Sequence, residues 1–427
     1  MTAAPSTAPP LTARDTELLL TLLRLPTVSP LEAPGEQPML WEAQRVYAAV
    51  ARESGFRVLH HGSADPAVLR RDDVPRAVRG RPAEFLATQP NLVLRLGPAL
   101  PRSATVMFNV HFDTVAGAPP VTFDGHRVTG RGAVDAKGQA VAVLAGIRAA
   151  RAADPRIGRD VAVLVQAVSG EEGGALGCFG TRPLVEAGYV GRLNVFCEPT
   201  GSRYLCRATA SMTAELRVAG LDAIDDRPGA GHNATVLLGF LAQHLAGAVA
   251  GEPGAAVCVA GLHTGDQHNR VYGTGRLLLN IGYPSVHTGR RLEGAVERAV
   301  RGGLAEFRSR FAALPALART AVDAAAITTL VWHKRRLPCL AQDETAVAAL
   351  CRAAGLAPWP AADPAFTCDA IWMDGVPGAA TVVLGAGSLD ANHAHADGEY
   401  AELADLAGFA GAVARLLTCF ADEETTP

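Results

Sequence analysis

The chain has 427 residues, of which 49% are hydrophobic and 19% charged, with a formal net charge of -3. That length supports a sizeable core in two or three domains. The composition excludes a disordered or fibrous chain and a basic nucleic-acid binder. No run approaches roughly 18 uninterrupted apolar residues, so a membrane-spanning helix is not expected. Residues 1–10 are small, Pro-rich and uncharged, without the basic start and apolar core of a secretory signal, so neither such a signal nor, with Thr2, N-terminal myristoylation is expected. The eight cysteines form no Cys-x-x-Cys pair, so free thiols in a reducing cytoplasm are the expectation.

Thr12 and Asp15 make a capping box that opens a helix over residues 13–24. A second helix spans residues 39–54. Residues 61–89 are polar and rich in Arg, Asp and Pro, and read as a long surface excursion. Apolar β-type runs at 91–96, 105–110, 161–168 and 193–197 then alternate with a long Ala/Val/Leu helix at 134–151. Such alternation predicts an α/β domain with a largely parallel sheet. Near Cys206 the pattern changes. Residues 211–218 alternate as a half-buried strand does, followed by a helix at 233–246, a strand at 277–281 and a long helix at 292–314. This predicts a smaller α+β unit inserted into the first domain. A helix at 344–354, a strand at 380–384 and an amphipathic helix at 401–420 restore the α/β character. The domain boundaries are therefore expected at 1–206, 207–330 for the insertion, and 331–427. Lys137 and Lys334 are the only lysines among 39 basic residues, which draws attention to Lys137.

The informative residues fall just past the predicted strands, where open α/β sheets build their sites. In Asn109-Val110-His111-Phe112-Asp113, the His-x-Asp spacing on extended chain puts both side chains on one face. Asp113 is placed to accept a hydrogen bond from the His111 ring and fix its tautomer, although an ordinary strand-end pair has the same spacing. Asp135 lies in the Gly-rich segment 130–138 and reads equally as a helix cap. Glu171 and Glu172 sit in another Gly-rich loop, where adjacent acids are often merely solvated. Glu198 follows the strand ending at Cys197. His393 and His395 precede Glu399 after the last strand. Together these give two histidines and three carboxylates at the strand exits of one sheet, a fitting set for two zinc ions bridged by a carboxylate. Two such ions about 3.5–4 Å apart activate a water and polarise a carbonyl, and one extra carboxylate would be the base.

These segments, in order and spanning nearly the whole chain, resemble the dizinc amidohydrolase and exopeptidase family of acetylornithine deacetylase, succinyl-diaminopimelate desuccinylase, aminoacylase and glutamate carboxypeptidases. The resemblance implies a zinc-exopeptidase-like catalytic domain carrying an inserted lid and dimerisation domain. It implies two zinc ions per chain, with cobalt or manganese as alternatives. His111 and Glu198 would hold one ion, Glu172 and His395 the other, and Asp135 would bridge them. Glu171 would be the general base and Asp113 would orient His111. His395, rather than His393, falls at the ligand position. Gly220, Arg227, Pro228, Gly231, Asn233 and Ala234 match the lid pattern, and Asn269 falls where an asparagine reaches the substrate. The implied partners are a small amide substrate and a second copy of the chain, with no nucleic acid or membrane.

The sequence departs from that pattern at three places. The family's lid histidine, which steadies the oxyanion, is Ile224 here and is followed by Asp225 and Asp226. The arginine that binds a substrate carboxylate is Ile371. An arginine ending the second lid strand is Gly282. Loss of an oxyanion donor costs ~100- to 1,000-fold in turnover, and loss of the arginine removes the reason to prefer a free α-carboxylate. Three readings follow. The chain is a deacylase in which His232, His263 or His268 takes over, or a hydrolase whose substrate lacks that carboxylate, such as a modified amino-acid intermediate. Alternatively it is a re-purposed binding protein that keeps the metals without hydrolysis.

Overall fold

The central sheet holds six strands, in the spatial order Arg57–Ser63, Pro90–Leu96, Ala162–Val168, Thr105–His111, Leu193–Phe196 and Ala380–Val383. The last four run parallel; Pro90–Leu96 is antiparallel to them, and the edge strand Arg57–Ser63 is antiparallel to Pro90–Leu96. Val163, Val165, Phe108, Val195 and Val382 are fully buried, as expected of strands covered on both faces. From Thr105–His111 the chain passes first to a neighbour on one side and then to one on the other. This strand is therefore the switch point, and loops leaving the carboxyl ends beside it converge on one crevice. The computed structural model describes residues 11–71 and 73–424; the expectation for residues 1–10 lies outside the described residues.

The helices that cover this sheet follow from the sequence. Ala13–Arg24 carries the expected capping box: the Thr12 hydroxyl accepts the Asp15 N–H, and the Asp15 carboxylate accepts the Thr12 N–H at 2.8 Å. Lys137–Ala153 crosses Leu403–Glu424 at Gly146, where a Cβ would lie 2.5 Å from the Ala410 carbonyl oxygen and 2.7 Å from Val413 Cβ. Leu403–Glu424 is, by length and composition, apolar enough to cross a membrane, which the sequence did not lead us to expect. Its apolarity has a packing reason: Phe409, Val413, Leu416 and Phe420 are fully buried in the core.

The surface excursion expected at 61–89 needs correcting. Residues 61–63 complete the edge strand Arg57–Ser63. Val68, Leu69, Val74, Val78, Phe85 and Leu86 form a second, small core with Ala175, Cys178 and Phe179. The Asp73 carboxylate accepts Arg182 Nη2 at 2.5 Å and fixes the segment over the loop that follows Val168. The apolar residues here have no period, so they give no signal in the sequence.

The chain divides into two compact units, one running up to Ala208 and resuming at Leu340, the other comprising Thr209–Cys339. The insertion is an antiparallel sheet in the order Ala256–His263, Thr274–Tyr283, Ala210–Ala219, Thr328–Lys334. Its helices are Ala234–Ala250, Val286–Phe311 and Ala318–Ile327. Its end falls later than the expected residue 330 because Thr328–Lys334 pairs with Ala210–Ala219. Its start falls after Ala208, because Arg207–Ala208 pairs with Leu340–Ala341 in the first unit. The strands Ala256–His263 and Thr328–Lys334 are sheet edges whose residues show no clean apolar–polar alternation, so the sequence did not disclose them.

Candidate metal centre

His111 ends the central strand, and its two ring nitrogens have different partners. Nδ1 lies 2.9 Å from the backbone carbonyl of Asp113, and Nε2 lies 2.8 Å from Asp135 Oδ1. A carbonyl only accepts, so Nδ1 carries a proton; a metal ion would take the place of the second proton, on the Nε2 that faces Asp135. The tautomer is thus fixed by the Asp113 backbone and not by its carboxylate, whose Oδ1 is 3.9 Å from Nδ1. The reason is that the Asp113 carboxylate is already engaged: it accepts the backbone N–H of Glu171 at 3.3 Å and of Glu172 at 3.0 Å.

Asp135 does not cap the helix that follows it. The helix starts at Lys137 with Ala136 in the cap position, and the Asp135 carboxylate turns to the histidines. Its Oδ1 faces His111 Nε2, and its Oδ2 lies 3.1 Å from His395 Nε2. The same His395 nitrogen lies 3.1 Å from Glu172 Oε1. Donor atoms of His111, Asp135 and Glu172, all three residues buried, lie within 4.8 Å of one another. His393 is directed elsewhere, edge-on to the Tyr400 ring at 6.0 Å.

Burial and like charge dominate the electrostatics. Burial, then the neighbouring Glu172, push the Glu171 carboxyl well above the usual range. Burial also raises Glu198 strongly, with His111 opposing and Asp135 and Glu172 adding to the rise. Burial raises Glu172, partly offset by His395. Burial would raise Asp135 as well, but hydrogen bonds from His111 and His395 hold it far below the carboxylate range. Burial would lower His111, yet Asp135, Glu198 and Glu171 carry it well above the imidazole value. Asp135 and Glu172 lift His395 to about 10. Four carboxyls crowded around two imidazoles make a site short of positive charge, and its nitrogen and oxygen donors suit divalent cations. Glu198 joins this group through its charge, outside the tight three-residue cluster.

Two residues not foreseen from the sequence hold Asp135 in place. Glu399 Oε1 accepts the backbone N–H of Val134 and of Asp135, at 3.2 and 3.3 Å, and Glu399 Oε2 accepts Arg131 Nη1 at 2.7 Å. The only available signal was that an acid and an arginine flank the ligand motifs. Lys137 lies outside the cluster. Its Nζ donates to the Leu22 and Leu25 carbonyls, both at 3.0 Å, and so satisfies the end of the first helix; burial lowers its value to about 7.

In the insertion, Asn269 occupies an exposed turn. Ile224 is 58% exposed. His232 is buried and committed within the unit: its Nδ1 accepts the Leu221 N–H at 2.8 Å and its Nε2 faces Asp323 at 3.0 Å. It therefore has no ring nitrogen to offer a substrate. His263 and His268 are exposed.

A parallel sheet with buried nitrogen and oxygen donors at its switch point, plus an α+β insertion, defines the class of metal-dependent peptidases and amidohydrolases. The sequence of Peptidase family M20/M25/M40 matches residues 107–418, and the chain belongs to this family. It is thus an enzyme of the metallopeptidase type, a metal-dependent hydrolase of amide bonds that binds divalent metal. Among solved structures it is similar to the di-peptidase Dug1p from Saccharomyces cerevisiae, with 12% identity, 96% of each chain covered and a TM-score of 0.68. It is also similar to the M20 family metallo-carboxypeptidase Sso-CP2 from Sulfolobus solfataricus, with 13% identity, coverage of 96% of this chain and 99% of that one, and a TM-score of 0.67. Human carnosine dipeptidase 1 has 15% identity, coverage of 96% and 97%, and a TM-score of 0.65. These likenesses establish the fold. A comparison with curated proteins gave no match.

Proposed function

We propose that the chain hydrolyses the amide bond of a small substrate, such as an N-acyl amino acid, a dipeptide or a modified amino-acid intermediate, with two zinc ions. His111 and Glu198 would hold one ion, Glu172 and His395 the other, and Asp135 both. The observation that carries this reading is the Asp135 carboxylate, which turns one oxygen to each histidine. When bound, such ions make water more acidic and withdraw charge from a carbonyl oxygen. Glu171, raised by burial and by Glu172, takes the proton from the attacking water and returns it to the leaving nitrogen. Asp113 holds the backbone of this base in place.

Ile371 favours a substrate without a free carboxylate at the family's arginine position. Its side chain is fully buried and apolar, so no charge is offered there. The insertion serves as a lid and as the contact to a second copy, with Asn269 on the substrate. The exposed Val259 and Leu262 on the edge strand Ala256–His263 support the dimer. The eight free thiols support a cytoplasmic setting. The same scaffold used for binding without hydrolysis is the second reading, favoured by the exposed Ile224 in place of a histidine.

Metal content per chain, measured by plasma mass spectrometry on gently purified protein, tests the proposal. About two transition-metal ions are expected. Metal-free protein that also takes up none on reconstitution with zinc would reject both the ligand set and the hydrolytic mechanism.

A further inference from the structure

The loop between Val168 and Thr181 carries both Glu171 and Glu172, yet it has no regular structure to stiffen it. Gly170, Gly173, Gly174, Leu176 and Gly177 all have φ between 47° and 79°, and turn-type internal bonds, among them Leu176 N–H to Glu171 O and Gly177 N–H to Gly170 O, close it on itself. Side chains from outside the loop grip it as well. Asp113 grips the N-terminal arm. The C-terminal arm lies against a second buried carboxyl. A Cβ on Gly177 would sit 2.5 Å from Asp369 Cγ and from both of its oxygens, and Trp372, on the same short helical turn as Asp369, donates Nε1–H to the Leu176 carbonyl at 2.6 Å.

Asp369 is 1% exposed. Its Oδ2 accepts the Thr181 hydroxyl at 2.5 Å, and its Oδ1 has no hydrogen-bond partner among the described residues. Thr181 Oγ1 also accepts Asn109 Nδ2 at 3.0 Å, and the same Nδ2 donates to Gln166 Oε1 at 2.8 Å. Asn109 precedes His111 by two positions on one strand, so both lie on the same face. A single line of hydrogen bonds thus joins the strand that delivers His111 to the turn that supports the Glu171 and Glu172 loop. Burying a carboxyl with one oxygen unpaired is unfavourable, a penalty that an apolar residue filling the same space would avoid.

We propose that Asp369, held by Thr181, is a positioning residue that fixes the Glu171–Glu172 loop relative to His111 and thereby sets the geometry of the metal centre. The part concerning metal rests on the function proposed above.

The test uses the full chain and cobalt ion alone as probe, comparing Thr181→Val with Thr181→Ser. Hydrogen exchange reports on residues 170–177, and titration followed by cobalt absorption reports on the metal centre. In Thr181→Val, exchange over 170–177 is expected to rise at least tenfold while Leu193–Phe196 is unchanged. Cobalt affinity is expected to fall about 10- to 100-fold, the usual effect of losing a ligand's supporting partner. Thr181→Ser, which keeps the hydroxyl, is expected to restore both. Unchanged exchange and affinity in Thr181→Val would overturn the proposal, as would a uniform rise in exchange across the whole unit. If the native chain takes up no cobalt, the metal reading fails, and the exchange comparison still decides whether Thr181 and Asp369 position the loop.

Discussion

The Asp113 carboxylate accepts the Glu172 backbone N–H at 3.0 Å. An acid two residues after His111 therefore does two things with separate atoms. Its carbonyl fixes the His111 tautomer, and its carboxylate fixes the loop that brings Glu172 to the same centre. Removing the side chain releases that loop and leaves His111 with its backbone partner.

Glu171→Ala is expected to lower turnover of any substrate found by about 100- to 10,000-fold, the usual contribution of a general base. Metal content is expected to remain near the native value. Turnover within threefold of native would exclude Glu171 as the base.

Asp135→Ala and Glu172→Ala are expected to lose most of the bound metal. Each removes a donor from the only tight group of three among the described residues. Asp135→Ala takes away the one carboxylate common to both histidines, so both ions are expected to go. Plasma mass spectrometry of the purified variants measures this, and native occupancy would refute the ligand assignment.

Gly146→Ala is expected to destabilise the chain by about 1–3 kcal/mol, because the added methyl meets the Ala410 carbonyl and Val413 where two core helices cross. Urea midpoints for the native chain and the variant give the difference. An unchanged midpoint would mean that the helices separate at little cost.

Glu215 gives a pH dependence in the insertion. Its carboxylate accepts Arg217 Nη2 at 2.9 Å and lies 2.6 Å from His333 Nε2. The Arg217 bond, with help from His333, holds it down to about 2. The folded state thus binds this proton more weakly than the unfolded chain does. Its stabilisation is complete above the ordinary glutamate value of about 4.3 and is lost as pH falls toward the folded value. Since Arg217 is half exposed, solvent screening holds the expected contribution to about 0.5–1 kcal/mol. Glu215→Gln should therefore be less stable than the native chain at pH 7, with the gap closing below pH 3, as read by Trp332 fluorescence on the neighbouring strand. A gap independent of pH would assign the loss to packing.

The parallel core strands, the first helix with its cap and the positions of His111, Asp135, Glu171, Glu172, Glu198 and His395 were legible in the amino-acid sequence. Buried strands are continuous apolar runs, caps are local, and the candidate acids and histidines stand at strand ends beside glycines, so each leaves a short-range mark. What joins those residues is not local. Glu399 supports Asp135 across a separation of 264 residues, and Asp369 meets Thr181 across 188. A buried carboxyl that orders a loop has the same composition as one that merely faces solvent. Only the folded chain shows that Asp135 turns to two histidines instead of capping a helix, or that Val68, Leu69, Val74, Val78, Phe85 and Leu86 form a second core with residues of the Glu171 loop. Residue type sets the chemistry available at a site; the three-dimensional path of the backbone decides which side chains share it.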